Sequence, residues 1–209
     1  MKAISNKYLK RMRNTIKWPL IIPLLCALTL AGSLYVSWQV NGKLLSTVRI
    51  VDLANYGGVS SSDVKEFKLW RFVTAQFVHV RWPHMLFNVM CLFGIGCLVE
   101  RQIGWIRTFL VWLVAGGFAT LISPVFIKEP YNVGTGASHA VLAFVGCALV
   151  MVGFKKLQGA WLKLILAVCL FPAFTLDFVY AGYPKIGHIT ALFLGAVLGL
   201  VFCKNDASL

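Results

Sequence analysis

A serine and a histidine lie fifty residues apart in this chain, each at the start of an apolar stretch. Ser138 follows a short run with two glycines, Gly134 to Ala137, and His188 directly follows Gly187. A serine hydroxyl is a poor nucleophile unless a base takes its proton, and histidine is the usual base. The pair therefore predicts chemistry within a bilayer, with Ser138 as the nucleophile and His188 as its general base.

Two more polar side chains, His84 and Asn88, stand at the start of another apolar stretch. The i, i+4 spacing places both on one face of a helix. Donors aimed at a forming oxyanion contribute about 3 to 4 kcal/mol each. The backbone N–H of Ser138 lies at a helix N-terminus, where unpaired N–H groups and the dipole favour negative charge. We expect the two side chains and this N–H to form an oxyanion site.

Other polar residues are explained by structural roles. Asp177 lies eleven residues before His188, but the turn between them gives it no reason to point inward, so a Ser-His dyad is the simpler prediction. His79 is expected to anchor a loop or sit at the membrane interface. Glu100 is interpreted as a structural cap or an ion-pair partner. Ser138 alone would favour a packing or capping role, and it is the joint presence of four polar groups at similar depth that favours chemistry.

The composition predicts a membrane protein. Of 209 residues, 59% are hydrophobic and 13% are charged, whereas soluble domains have about 25% charged residues. Apolar stretches near the length of about 20 residues that a membrane helix needs number six. They are Trp18 to Val40, His84 to Val99, Trp105 to Phe126, Ser138 to Phe154, Trp161 to Val179 and Gly187 to Cys203.

Charge sets the predicted topology. Residues 1–17 carry six basic and no acidic side chains, which places the N-terminus in the cytoplasm. Alternating spans then give twelve Lys and Arg against two acids inside, and eight against five outside. The charge of +13 thus indicates topology and contact with anionic lipid, and no nucleic-acid partner. We expect a basic cytoplasmic N-terminus (1–17), a membrane domain (18–203) and a cytoplasmic tail (204–209), in a bacterial inner membrane.

The first span is too long for a cleavable signal peptide and is expected to stay as an anchor. All six cysteines lie within apolar spans, without the close spacing of metal ligands. They are interpreted as small buried hydrophobes. We expect no disulfide, no metal and no cofactor.

Three segments must position the polar residues. The outer segment Asn41 to Pro83 contains an aromatic and basic stretch, Phe67 to Val73, which is typical of a segment in the membrane interface, although a folded surface loop fits equally well. The loop Lys128 to Ala137 is irregular, and such backbone at membrane depth must be buried or line a cavity. A ladder of small residues in the last span predicts close helix contact: Gly187, Ala191, Gly195 and Gly199.

From Trp70 to Phe202 the chain resembles the rhomboid family of intramembrane serine proteases. The resemblance implies an all-α bundle of six transmembrane helices, with a long first outer loop partly embedded in the membrane. It also implies that transmembrane proteins are the substrates, cut near the outer face through the Ser-His dyad. Ser138 would attack the peptide carbonyl, with His188 as general base and then as the acid that protonates the leaving amine. The matching motifs are Trp70-Arg71, His84 with Asn88, Glu100-x3-Gly104, Gly136-Ala137-Ser138 and Gly187-His188.

Two positions depart from the family pattern. His139 replaces the usual small glycine, and Leu142 stands where many members have a tyrosine that stacks on the histidine. His139 should project about 100° away from Ser138 around the helix, so we do not expect it to replace His188. The departures are compatible with a specialised branch, such as rhombosortase-like processing enzymes. The polar cluster would also suit a pseudoprotease that binds transmembrane segments without cutting them, or a small transporter.

Overall fold

Long apolar helices dominate the computed structural model, which describes residues 18–129 and 132–205. Four helices in this part of the chain are long and apolar enough to cross a membrane, and a fifth, shorter helix is also apolar. The predicted all-α membrane protein is therefore confirmed at this level, while residues 1–17 and 206–209 of the predicted cytoplasmic segments lie outside the described residues.

The helices are α1 Ile21–Asn41, α2 Ile50–Leu53, α3 Ser61–Lys65, α4 Arg71–Thr74, α5 Trp82–Leu110, α6 Gly117–Ile122, α7 Ser138–Gly153, α8 Ala160–Ala181 and α9 Ile186–Asn205. Two 3-10 helices, Ala75–Phe77 and Ser123–Phe126, and a π-helical stretch, Val111–Gly116, complete the helical structure. Two short strands, β1 Val59–Ser60 and β2 Val133–Gly134, pair antiparallel.

The helical stretch Trp82–Phe126 folds back on itself. It has 45 residues, and a straight helix of that length would measure about 67 Å, twice the thickness of a bilayer's hydrocarbon core. Gly104 interrupts it with φ 79° and ψ 167°, a left-handed backbone that glycine adopts without a steric penalty. Asn88 and Thr120 lie on opposite sides of this break. Asn88 contacts His79, which binds the backbone of Ala137, and Thr120 contacts His139, so both lie close to Ser138. The two arms therefore lie side by side.

Helix α7 forms the centre of the core. Eleven of its sixteen residues are buried, which explains why its sequence is apolar on every side. A Cβ atom added to Gly146 of α7 would overlap the backbone of α9, and one added to Gly195 of α9 would overlap the backbone of α7. The prediction that the small-residue ladder serves close helix packing is confirmed. All four ladder residues are buried: Gly187, Ala191, Gly195 and Gly199.

The segment Asn41 to Pro83, which we call the outer segment after its predicted side, is folded. Arg71 ties its parts together, because Nη1 donates to the carbonyl oxygens of Ala54 and Gly58, the latter at 2.8 Å, and Nε lies 3.3 Å from Asp63 Oδ1. The Trp-Arg motif thus has an evident structural use in this chain. A small separate core lies beneath the segment, formed by Val36, Val48, Leu53 and Val78.

Glu100 caps the first helix from a distance of about eighty residues in sequence. Its carboxylate accepts hydrogen bonds from the backbone N–H groups of Leu20, Ile21 and Ile22, at 2.7, 2.9 and 3.0 Å. The first N–H groups of a helix have no partner within the helix, and a buried carboxylate satisfies three of them with charge-assisted bonds. The interpretation of Glu100 as a cap is confirmed.

Candidate active site

Ser138 and His188 meet where helices α7 and α9 begin. Ser138 Oγ lies 3.1 Å from His188 Nε2. His188 is buried, with 8% of its surface exposed, while Ser138 is half-buried. The close approach of the two helices at their glycines brings these first-turn residues within hydrogen-bond distance.

Asp177 completes the arrangement, contrary to the expectation that it has no reason to point inward. Its Oδ2 atom lies 2.7 Å from His188 Nδ1 and accepts a second hydrogen bond from the backbone N–H of Lys185 at 2.9 Å. Gly182 ends helix α8 with a left-handed φ of 77°, and the chain then returns at once into α9. The expectation is wrong because this short return brings the start of α9 beside the last turns of α8. Asp177 is 1% exposed.

The hydrogen bonds define the tautomer of His188. An ionised carboxylate only accepts hydrogen bonds, so His188 Nδ1 carries the proton and donates it to Asp177. Nε2 is then free to accept the hydroxyl hydrogen of Ser138. A neutral imidazole in this orientation is the form that a general base requires.

His79 anchors a loop, which is one of the two roles predicted for it, and it does so while buried beside Ser138. It is 4% exposed, and its Nε2 atom accepts hydrogen bonds from the backbone N–H of Ala137 and from Asn88 Nδ2, both at 3.1 Å. Its Nδ1 atom lies 3.0 Å from Ser33 Oγ, which itself donates to a backbone carbonyl, so Nδ1 is the protonated nitrogen. Burial, with a smaller effect of His84, lowers the pKa of His79 to about 3. His79 therefore anchors the loop before Ser138 as a neutral residue within the protein interior.

The spacing of His79 from His84 and Asn88 was the available signal. His84 and Asn88 stand five and nine positions after His79, and the turn before α5 brings His79 back beside both of them. A histidine outside an apolar span gives no sign of burial, so the spacing alone did not indicate this role.

Gly136 lets the loop before Ser138 approach His79. Its φ of 92° is in the left-handed region, and a Cβ atom at this position would lie 3.3 Å from two ring atoms of His79. Its N–H donates to the carbonyl oxygen of Ala75 at 2.8 Å. Strand β2, two residues earlier, pairs with β1 of the outer segment. The loop is thus fixed to the outer segment on both sides of Gly136.

His84 and Asn88 lie beside this loop. Asn88 Nδ2 contacts His79 Nε2 at 3.1 Å and His84 Nε2 at 3.2 Å, and Asn88 is buried whereas His84 is exposed. An amide nitrogen can only donate, so both of its hydrogens face imidazole nitrogens in this structure. The oxyanion role of the two side chains stays a prediction.

His139 and Leu142 occupy different surroundings. Leu142 is fully buried in the apolar core. The imidazole of His139 packs beside that of His188, with ring centroids 5.2 Å apart and planes inclined by 55°. His188 Nε2, not His139, accepts the hydroxyl hydrogen of Ser138. Phe174 contacts the His188 ring edge-on, with ring centroids 6.4 Å apart.

None of the six cysteines, all of which lie within the described residues, forms a disulfide, and five of them are buried. Among the described residues, no three His, Cys, Asp or Glu side chains form a group that could hold a metal ion.

The structure is an apolar, almost entirely helical bundle in which Ser138, His188 and Asp177 form one hydrogen-bonded series. These features define an integral membrane protein. The rhomboid domain model matches residues 66–205. The chain belongs to the rhomboid family.

Named relatives agree with this assignment. The chain is 28% identical to the rhomboid protease GluP of Bacillus subtilis (strain 168) over 167 residues, which are 78% of this chain and 32% of that protein. It is 29% identical to RHOMBOID-like protein 4 of Arabidopsis thaliana over 152 residues, 71% of this chain and 38% of that protein. The putative rhomboid protease YdcA of Bacillus subtilis (strain 168) is 28% identical over 135 residues, 63% of this chain and 66% of that protein. The chain spans about a third of the length of the first two relatives.

Proposed function

We propose that this protein is an intramembrane serine endopeptidase that hydrolyses peptide bonds in or near transmembrane segments of membrane-anchored proteins. The observation that carries the proposal is the continuous hydrogen-bonded series from Ser138 through His188 to Asp177, with distances of 3.1 and 2.7 Å. Membership of the rhomboid family, with relatives named as proteases, supports the same reaction class.

The first step is attack by Ser138 Oγ on the carbonyl carbon of the scissile peptide. His188 Nε2 accepts the hydroxyl proton as the C–O bond forms, and the carbonyl π electrons move to the oxygen. The resulting imidazolium keeps its Nδ1–H bond to the Asp177 carboxylate, which favours the charged ring. Asp177 is thus a positioning group that acts through His188.

The oxyanion forms beside the N-terminus of helix α7. The backbone N–H of Ser138 is a first-turn donor, and the helix dipole favours negative charge there. His84 and Asn88 supply further donors when bound substrate replaces the hydrogen bond between them, which frees one hydrogen of Asn88 Nδ2 for the oxyanion. His188 then gives its proton to the leaving amine, the C–N bond breaks, and the acyl-enzyme remains on Ser138. A water molecule, deprotonated by the same imidazole, hydrolyses this ester and regenerates the serine.

The length of α7 favours a site below the outer membrane surface. Its sixteen residues extend about 24 Å, less than the hydrocarbon thickness of about 30 Å. If the C-terminal end of α7 reaches the cytoplasmic boundary, Ser138 lies within the outer half of the bilayer. We place the N-terminus in the cytoplasm on the basic residues of 1–17. Six membrane crossings follow when Gly104 is counted as a turn between two spans, and the outer segment lies partly in the membrane.

A cleavage assay with purified protein in liposomes tests the proposal. We expect wild-type protein to cut a transmembrane reporter, Ser138→Ala to abolish cutting, and His188→Ala to slow it at least about thousandfold. Ser62→Ala is the matched control, because this outer-segment serine is exposed and should leave the rate unchanged. Cleavage by Ser138→Ala at the wild-type rate would refute the proposed nucleophile. A correctly folded wild type that binds the reporter without cutting it would favour a pseudoprotease instead.

A further inference from the structure

A second imidazole, that of His139, lies directly beside the histidine of the proposed site. The ring centroids of His139 and His188 are 5.2 Å apart, and the ring planes are tilted by 55°. His139 is 4% exposed. Burial of a polar side chain is unfavourable unless its polar atoms form hydrogen bonds.

The hydrogen bonds of His139 define its protonation. Thr120 Oγ1 donates its only hydrogen to the carbonyl oxygen of Gly116 at 2.8 Å, so it accepts the bond from His139 Nδ1 at 3.1 Å. Nδ1 therefore carries the proton, and Nε2 has a bare lone pair. This Nε2 atom is buried and has no hydrogen-bond partner among the described residues. An unpaired buried acceptor destabilises a fold, so packing alone does not explain a histidine here.

The bare nitrogen faces the backbone that carries His188. A Cβ atom at Gly187 would overlap His139 Nε2 and the side chain of Ser123. The ring of His139 is therefore confined between the Thr120 hydroxyl, the Gly187 backbone and the His188 ring. These contacts fix both the main chain at the start of α9 and one side of the catalytic imidazole.

We propose that His139 is a positioning residue for His188, an inference that rests on the proposed protease function. Its ring, oriented by Thr120, forms a wall that keeps His188 Nε2 directed at Ser138. Because its own proton sits on Nδ1 and is engaged by Thr120, His139 faces His188 as a neutral aromatic ring. Because this ring carries no charge, it does not repel the imidazolium that forms when His188 accepts the serine proton. Asp177 acts on the opposite edge of the same imidazole.

Substitutions at 139 separate the ring from its hydrogen bond. His139→Ala lacks both, His139→Gln keeps a hydrogen-bonding group without a ring, and His139→Phe keeps a ring without the bond. We expect kcat to fall about tenfold to thirtyfold in His139→Ala and to a similar extent in His139→Gln, with KM within about twofold of wild type. His139→Phe should recover to within about threefold of the wild-type kcat.

A matched pair at Thr120 tests the hydrogen bond itself. Thr120→Val keeps the shape but removes the acceptor for His139 Nδ1, and we expect a severalfold lower kcat. Thr120→Ser restores the hydroxyl and should restore kcat. Leu142→Ala is the packing control: it removes a fully buried side chain from the same helix, and we expect a lower melting temperature with kcat of the folded protein retained.

The closing measurement is the rate at which a fluorophosphonate labels Ser138, taken alongside kcat for each variant. Slower labelling of His139→Ala, with recovery in His139→Phe, supports the positioning role. Equal labelling rates and equal kcat in wild type and His139→Ala would overturn it while leaving the proposed protease intact. A folded wild-type protein that neither labels nor cleaves would overturn the proposed function and, with it, this inference.

Discussion

Replacement of Asp177 by asparagine removes the charge beside His188 while keeping almost the same shape. Oδ2 of Asp177 accepts from both His188 Nδ1 and the backbone N–H of Lys185. An asparagine must place its single oxygen there to keep both bonds, which preserves the tautomer of His188. Its amide nitrogen then faces the ammonium of Lys185, which in the wild type lies 3.6 Å from Oδ1.

The predicted loss follows from the bond that is weakened. Hydrogen bonds to charged groups contribute about 1.5 to 3 kcal/mol, and the charge of Asp177 matters most when His188 becomes imidazolium. Asp177→Asn should therefore lower kcat by about 10-fold to 150-fold, with little change in KM. Asp177→Ala should lower it further, toward the loss of about 10⁴-fold known for a serine-protease histidine held in the wrong tautomer, because Nδ1 loses its acceptor.

The assay is steady-state cleavage of a transmembrane reporter in detergent, with kcat and KM determined separately. Lys185→Met is the matched control, since it removes the ion pair to Asp177 but keeps the backbone N–H. The Lys185 side chain is 38% exposed, and such pairs contribute about 0 to 1 kcal/mol, so its kcat should fall less than about fivefold. A kcat for Asp177→Asn within twofold of wild type would refute the assignment of Asp177 as a positioning group.

Three further predictions concern the supports of the site. Gly136→Ala should lower kcat and reduce the free energy of unfolding by about 1 to 3 kcal/mol, because the φ of Gly136 is 92° and a Cβ atom would press on His79. Gly153→Ala is the control, since a Cβ atom there lies in open space and should change neither kcat nor the melting temperature. Equal effects of the two substitutions would contradict this expectation. Glu100→Gln should destabilise the protein by about 2 kcal/mol in denaturant unfolding, since one oxygen cannot cap three N–H groups. Glu66→Gln, at an exposed position, should be neutral. An unfolding midpoint of Glu100→Gln equal to that of wild type would argue against the cap. The pKa of His79 is about 3 in the folded protein and about 6.5 in the unfolded chain, so the unfolded chain binds the extra proton and stability should fall as pH drops from 6.5 toward 3. Thermal unfolding of His79→Asn should depend less on pH in that range. A pH profile identical to that of wild type would be evidence against a buried neutral His79.

The sequence predicted the residues whose polarity is out of place. Ser138 and His188 interrupt apolar stretches, and the glycine ladder of the last span indicated how the helices that carry them approach each other. Gly104 separated two predicted spans, and the structure breaks the helix there. Such features depend on composition and helical periodicity, which one sequence already contains.

The missed contacts depend on how short connections return. Asp177 reaches His188 only because the chain turns sharply after Gly182, and His79 reaches Ala137 across fifty-eight residues. Neither contact follows from periodicity, since a turn's direction is determined by the packing of the helices it joins. The placement of the His139 ring was similarly hidden, because an angle around one helix does not reveal which neighbouring side chain it meets.

In the function that we propose, Ser138 is a nucleophile activated by His188. The most direct test is to treat the purified protein with a fluorophosphonate and to locate the adduct by mass spectrometry of its peptides. We expect a single adduct on Ser138 that forms rapidly in wild type and at least about a hundredfold more slowly in His188→Ala. An adduct on another residue, or labelling of Ser138 at an unchanged rate in His188→Ala, would contradict it.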